Sequence, residues 1–233
     1  MEKLLSTYDG SHIYYQVVGQ GEPLLFIHGN SGSSRYFKRQ LSFFSKQFKV
    51  ILMDTRDHGH SSNASDQLTF EQICRDIREI LTNEGITKTS IVGFSDGANI
   101  ALTYANRYQD SVDKLVLASP NVRFSQLKKA QQWSSHSLFF VTRYLLGLRK
   151  KSRVIRLAMK DLPIDKEDYS KLERPVLCFI GDHDIVTPES MKAFISELPH
   201  ATLDVIKHCG HSIPKLRPTY FNQQTYHFLT QSV

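Results

Sequence analysis

The chain is short of the features that define several large protein classes. It has only three cysteines, Cys74, Cys178 and Cys209, an odd number with no C-x-x-C pair. This spacing speaks against a disulfide framework and a thiolate zinc site, so reduced thiols in a cytoplasmic protein are expected. Long apolar runs are also missing. Met1 to Thr7 lack the apolar core of a secretory signal. The longest apolar region, Leu138 to Leu148, is broken by Thr142 and Arg143 and is too short to cross a bilayer. Low-complexity stretches and fixed-period repeats are absent. Neither the H-x-H-x-D-H order of binuclear zinc hydrolases nor a Gly-Lys-Ser/Thr phosphate loop occurs. Neither a metal nor another cofactor is therefore expected.

What is present suits one globular domain: 233 residues, 40% hydrophobic and 22% charged. The net charge of +6 is unevenly spread. Residues 121 to 174 hold 13 Lys/Arg and 5 Asp/Glu, leaving 16 basic and 18 acidic residues elsewhere. Such asymmetry marks either a nucleic-acid or membrane surface or simply a solvated face. No recognisable RNA- or DNA-binding motif accompanies it, so no nucleic-acid partner is expected.

Short apolar runs punctuate the chain at Leu24–Ile27, Val50–Met53, Ser90–Phe94, Leu115–Ala118, Val176–Ile180 and Leu203–Ile206. Continuous rather than alternating runs predict parallel strands covered on both faces. Ile13 to Val18 add an expected antiparallel edge hairpin. Between these runs, Phe70 to Leu81 places apolar residues at three-and-four spacing, with Thr69 as N-cap and Gly85 as stop. Further helices are expected at Ala98–Tyr108, Met191–Leu198 and Tyr220–Leu229. Alternation of strand and helix predicts an α/β sheet protein. Residues 121–172 break the rhythm, being helical, basic and aromatic. They read as a small helical cap inserted into a core made of residues 1–120 and 173–233.

Gly93-Phe94-Ser95-Asp96-Gly97 matches G-x-S-x-G between a predicted buried strand and a helix. A tight strand-to-helix turn needs small neighbours and lifts the serine hydroxyl to the carboxyl end of the sheet. Such a hydroxyl needs a base. His211, in the loop after the last strand, is the best placed of the ten histidines. Asp182 and Asp184, just after the fifth apolar run, both qualify on spacing as its acidic partner. The backbone amides of Asn30, in His28-Gly29-Asn30-Ser31-Gly32, and of Asp96 are the candidate oxyanion donors.

In these segments, together with Asp54 to Ser61, Gly181 to Pro188 and Gly210-His211-Ser212, the chain resembles the α/β-hydrolase family. The likeness is to its cap-bearing carboxylesterase and C–C hydrolase branch. The resemblance implies an α/β-hydrolase fold and a triad of Ser95, His211 and Asp184, since the family acid lies in G-x-x-D-x-x-x-P. It also makes the Asp54, Asp57, His58 and His60 group a structural loop rather than a metal cluster. Two positions depart from the family pattern: Asp57 stands where a glycine is usual, and Ala98 where many members have a second glycine.

The expected activity is hydrolysis of a small-molecule carboxylic ester through an acyl-enzyme. The alternatives are C–C or thioester cleavage on the same residues, or a hydrolase-like binding regulator with little turnover. A serine nucleophile argues against the dehalogenase and epoxide-hydrolase relatives, which use aspartate. Phe124, Trp133, Leu138, Phe139, Phe140, Tyr144 and Leu145 are expected either to line the pocket or to form the core of the cap.

Overall fold

The apolar runs become the strands of one sheet in the computed structural model, which describes residues 1–231 and, at Lys166, the backbone alone. The eight strands are β1 (Glu2–Ser6), β2 (His12–Val18), β3 (Glu22–Ile27), β4 (Phe48–Met53), β5 (Thr89–Phe94), β6 (Val112–Ala118), β7 (Val176–Gly181) and β8 (Ala201–Ile206). Their order across the sheet is β1-β2-β4-β3-β5-β6-β7-β8. The hairpin β1–β2 is antiparallel, and β2 joins β4 antiparallel. From β4 to β8 every neighbouring pair is parallel. The topology is that of an α/β-hydrolase sheet.

The helices are α1 (Lys38–Phe44), α2 (Phe70–Asn83), α3 (Asp96–Arg107), α4 (Lys129–Phe140), α5 (Arg149–Ala158), α6 (Lys166–Tyr169), α7 (Pro188–Ile195), α8 (Ile213–Leu216) and α9 (Pro218–Thr230). Alternate strand residues face opposite sides, and both sides are apolar and covered. Leu25, Ile27, Ile51 and Ile91 pack with Ile77 of α2 and Leu102 of α3. Leu24, Phe26, Val50 and Val92 pack on the other face with Phe44 of α1 and Phe221 of α9. Helix α2 starts where its N-cap predicts: Thr69 Oγ1 accepts from the Gln72 amide, and Gln72 Oε1 accepts from the Thr69 amide. It stops before Gly85, which takes φ +67°. At the far end of the chain, buried Lys114 donates to the carbonyls of Phe228 and Leu229, both at 3.0 Å. That cation neutralises the negative end of α9.

Residues 121–172 carry α4, a widened turn at Val141–Leu145, α5 and α6. Val154 and Leu157 of α5 join the same buried cluster as the sheet. The departure at Asp57 now has a physical role. Asp57 has φ +62°, the region where glycine is usual, and its carboxylate accepts two hydrogen bonds from Arg153 of α5, both at 2.8 Å. The aspartate accepts the backbone strain and anchors the helix above the sheet.

One buried ion pair joins three parts of the core. Arg56, after β4, is fully buried and meets both oxygens of Asp76 on α2, at 2.6 and 2.7 Å. Its remaining terminal nitrogen reaches Asp9 and Ser11 in the β1–β2 turn. Arg56→Ala leaves Asp76 without a counter-charge and is expected to cost about 3–5 kcal/mol. Lys88→Ala, at an exposed bridge of 3.2 Å to Asp113, is expected to cost less than about 1 kcal/mol. Urea unfolding of the two variants beside the parent chain measures both.

Candidate active site

The sequence neighbours of Ser95 are small because the backbone leaves no room for side chains. A Cβ on Gly97 would sit 2.0 Å from the carbonyl oxygen of Ile27, at the end of β3. One on Gly93 would sit 2.3 Å from the Gly97 carbonyl oxygen. Between them Ser95 turns the chain from β5 into α3 with φ +53° and ψ −120°. The elbow lies where β3 and β5 run side by side while the chain leaves them toward opposite halves of the sheet. In α/β sheets this is the place where ligands bind.

The loops at the strand ends bring Ser95, His211 and Asp184 together. His211 Nε2 lies 3.0 Å from Ser95 Oγ, and its Nδ1 lies 2.7 Å from Asp184 Oδ1. Asp184 is 1% exposed, so an ionised carboxylate there needs several donors. It also accepts from the amides of Ile185 and Val186, and from the Ser119 hydroxyl at 2.6 Å. Against the opposing effect of burial, His211, Ser119 and the Val186 amide hold its pKa below the ordinary aspartate value. Asp182 faces elsewhere. Its carboxylate accepts from the amides of His208 and Cys209, at 3.0 and 3.1 Å, and braces the loop that carries His211.

The Asn30 and Asp96 amides have no hydrogen-bond partner among the described residues. For Asp96 the reason is positional: the first N–H groups of a helix lack intrahelical acceptors. The Asn30 side chain donates to Asp96 Oδ2 at 2.8 Å and to the Val154 carbonyl at 2.7 Å, tying the loop after β3 to the elbow and to α5. Beneath this loop, His28 and His58 act as structural posts. His28 Nε2 accepts from the Thr55 amide and His58 Nε2 from the Ser31 amide, so each keeps its proton on Nδ1. Burial, with His58 nearby, pushes His28 down to about 4. Asp54 accepts from the amides of Ser34 and His60. In the group read as a structural loop, Asp54 also meets the His60 ring, and Asp57 accepts from Arg153 and from the Asn63 side chain.

Above Ser95 opens a cavity of about 500 Å³. Its wall combines Tyr36, Phe94, Leu138, Ile155 and Ile185 with Asn121, Gln131, Ser134, Ser135, Ser212 and Lys215. Of the seven apolar residues expected to line the pocket or form a cap core, Leu138 lines this cavity. Phe124 and Phe139 are half-buried, whereas Trp133, Phe140, Tyr144 and Leu145 are exposed. Ser119, the residue sequence reasoning missed, has φ +53° and follows β6 directly. A polar residue closing an apolar run at the carboxyl edge of a predicted sheet was its available signal. The three cysteines are buried and lie outside the hydrogen-bonded chain; the Cys178 thiol contacts Met191 Sδ at 3.5 Å.

A family model described as alpha/beta hydrolase fold matches residues 22–160. Among curated proteins the chain is 25% identical over 263 residues to the Caulobacter protein named "Putative carbamate hydrolase RutD", covering 96% of this chain and 97% of that one. It spans less than half the length of several other curated relatives it matches. The solved esterase EaEST from Exiguobacterium antarcticum superposes with a TM-score of 0.85 at 20% identity, over 99% of this chain and 100% of that one. A meta-cleavage product hydrolase from Pseudomonas fluorescens superposes with a TM-score of 0.79 at 22% identity, over 97% of each chain. At these identities the structural matches speak to the fold.

Asp96 supplies a test of the site's electrostatics. Burial pushes its pKa up to about 6 from 3.8, with Asn30 and His211 opposing the rise. Between those values the folded chain binds more protons than the unfolded chain, so this group's contribution to stability falls as pH rises. Asp96→Asn keeps an acceptor for Asn30 and removes the titration. Its stability relative to the parent is expected to grow by about 2 kcal/mol between pH 4 and pH 7, measured by urea unfolding across that range.

Proposed function

Because the chain belongs to the alpha/beta hydrolase fold family, we propose that it hydrolyses a carboxylic ester of a small molecule through a covalent acyl-enzyme. The observation that carries the proposal is the unbroken chain of hydrogen bonds from Ser95 Oγ through His211 to buried Asp184, at the floor of a cavity. The backbone amides of Asn30 and Asp96, without a partner among the described residues, border that floor.

In this reading His211 Nε2 takes the Ser95 proton as Oγ bonds to the ester carbonyl carbon. The carbonyl oxygen becomes an oxyanion and accepts from the Asn30 and Asp96 amides, each worth a few kcal/mol to the transition state. Collapse breaks the carbon–oxygen bond to the alcohol, which leaves with the proton that His211 returns. Water, deprotonated by His211, then attacks the acyl carbon; the bond to Oγ breaks, the acid leaves, and His211 returns the proton to Ser95. Asp184 remains ionised throughout, holding the proton of His211 on Nδ1 and stabilising the imidazolium. Residues 121–172 form the cap over this site and residues 1–120 and 173–233 the hydrolase core, with Leu138 and Ile155 of the cap roofing the acyl pocket. The mixed wall of amides, hydroxyls and apolar groups suits a short, polar acyl group better than a long alkyl chain.

A fluorophosphonate probe is expected to label the parent chain and not Ser95→Ala. On a panel of soluble short-acyl and long-acyl esters, thioesters and C–C substrates, turnover is expected on the short esters. Ser95→Ala is expected to lower kcat by about 10⁶-fold, Asp184→Asn by about 10⁴-fold, and Asp182→Asn by less than about tenfold. Labelling without turnover of any substrate on the panel overturns the enzyme reading in favour of a binding protein. Equal damage at Asp182 and Asp184 overturns the assignment of the acid.

A further inference from the structure

The aromatic and aliphatic residues that fail to enter the cavity have another placement in common. Phe140, Tyr144, Leu145, Leu146 and Leu148 lie within nine residues of chain, from the end of α4 through the widened turn to the residue before α5, and all are exposed. Tyr144 is 66%, Leu145 68% and Leu146 59% exposed. Single exposed apolar side chains need no explanation, but a contiguous ridge of this size marks an interaction surface.

The charge around the ridge identifies what it meets. Residues 121–160 contain ten Lys/Arg and no Asp or Glu. Arg143 sits within the ridge, and Arg149, Lys150 and Lys151 follow it directly, all exposed. The last three occupy the first turn of α5, where the helix dipole disfavours cations, so the fold itself gains nothing from them there. Beside them, Arg143, Arg149, Arg153 and Arg156 border a cleft of about 320 Å³ that also holds Asp66. Arg153 is committed to Asp57; the others present their charge outward.

We infer that this face docks on an anionic lipid surface, with Leu145 and Leu146 entering the headgroup boundary and the neighbouring cations meeting lipid phosphates. Apolar side chains ringed by Lys and Arg are the signature of such binding. A nucleic acid would satisfy the cations but leave the leucines in water. A second copy of the chain would set like charges against each other. Leu138, two residues before Phe140 and itself exposed, lines the cavity, so docking brings the mouth of the proposed active site toward the lipid.

Vesicle sedimentation tests this with the full chain. Binding to phosphatidylcholine vesicles containing about 30% phosphatidylglycerol is expected to exceed binding to pure phosphatidylcholine by at least about tenfold, and to fall steeply in about 0.5 M salt. The paired variants Leu145→Ser/Leu146→Ser and Lys150→Glu/Lys151→Glu are each expected to lose about tenfold or more, with unchanged circular dichroism. Ser95→Ala is expected to bind like the parent, because docking does not require the hydrolase chemistry. Equal partition onto neutral and anionic vesicles overturns the inference, as does full binding by both paired variants. Two further results also overturn it: displacement of the vesicles by an oligonucleotide at comparable affinity, and a dimer in solution that buries Leu145.

Discussion

The backbone of the elbow is pressed so closely against the end of β3 that a single methyl group on Gly97 would overlap the Ile27 carbonyl. That contact fixes how closely α3 starts against the end of β3, and with it the position of Ser95 at the turn. The conformation is strained, and the strain is not scattered. The five non-glycine residues with positive φ among the described residues are Ser31, Asp57, Ser95, Ser119 and His208. They follow the carboxyl ends of β3, β4, β5, β6 and β8 respectively. Each such residue costs about 1–3 kcal/mol, which a sheet with both faces buried offsets. The regular part of the fold thus concentrates its departures from ideal geometry along one edge.

Polar pairing holds that edge in place. Asn30 bridges the loop after β3, the elbow and α5; Arg153 and Asp57 make a second tie between α5 and the loop after β4. Asp184 keeps its charge in a buried position because donors from three sources converge on it: His211, Ser119 and the amides of its own loop. Asp96 is less fully compensated, and its raised pKa records the difference. Two aspartates at one site are therefore held in opposite electrostatic conditions by their hydrogen bonds.

Chemistry that depends on near neighbours was legible in the sequence. The G-x-S-x-G pattern is local, and continuous apolar runs mark β3 to β7 because both sheet faces are covered. Strand β1 escaped notice because it is a half-exposed edge strand of five residues with no apolar run. Helix α1 escaped because its seven residues bury only Gln40 and Phe44, too few to show a period. The pairings that brace the candidate site join residues far apart: 65 positions for Ser119 and Asp184, 96 for Arg153 and Asp57, and 124 for Asn30 and Val154. No spacing rule reaches across such distances. The ridge from Phe140 to Leu148 illustrates the opposite error, since aromatic content alone suggests burial that the fold does not provide.

The hydrogen bond from Ser119 to Asp184 spans the base of the long segment between β6 and β7. Ser119 closes β6 and Asp184 follows β7, its immediate neighbour in the sheet, while a backbone bridge between Leu127 and Val186 narrows the same neck. The helices between them form a closed loop whose two ends are clamped independently of its contents. The closure entropy of such a loop grows only slowly with its length. Evolution can therefore lengthen, trim or replace most of the segment while leaving the histidine's carboxylate where it is, provided the ties at Asn30 and Asp57 are re-formed. The clamp makes this region the place where one hydrolase scaffold can acquire a new specificity without rebuilding the machinery beneath it.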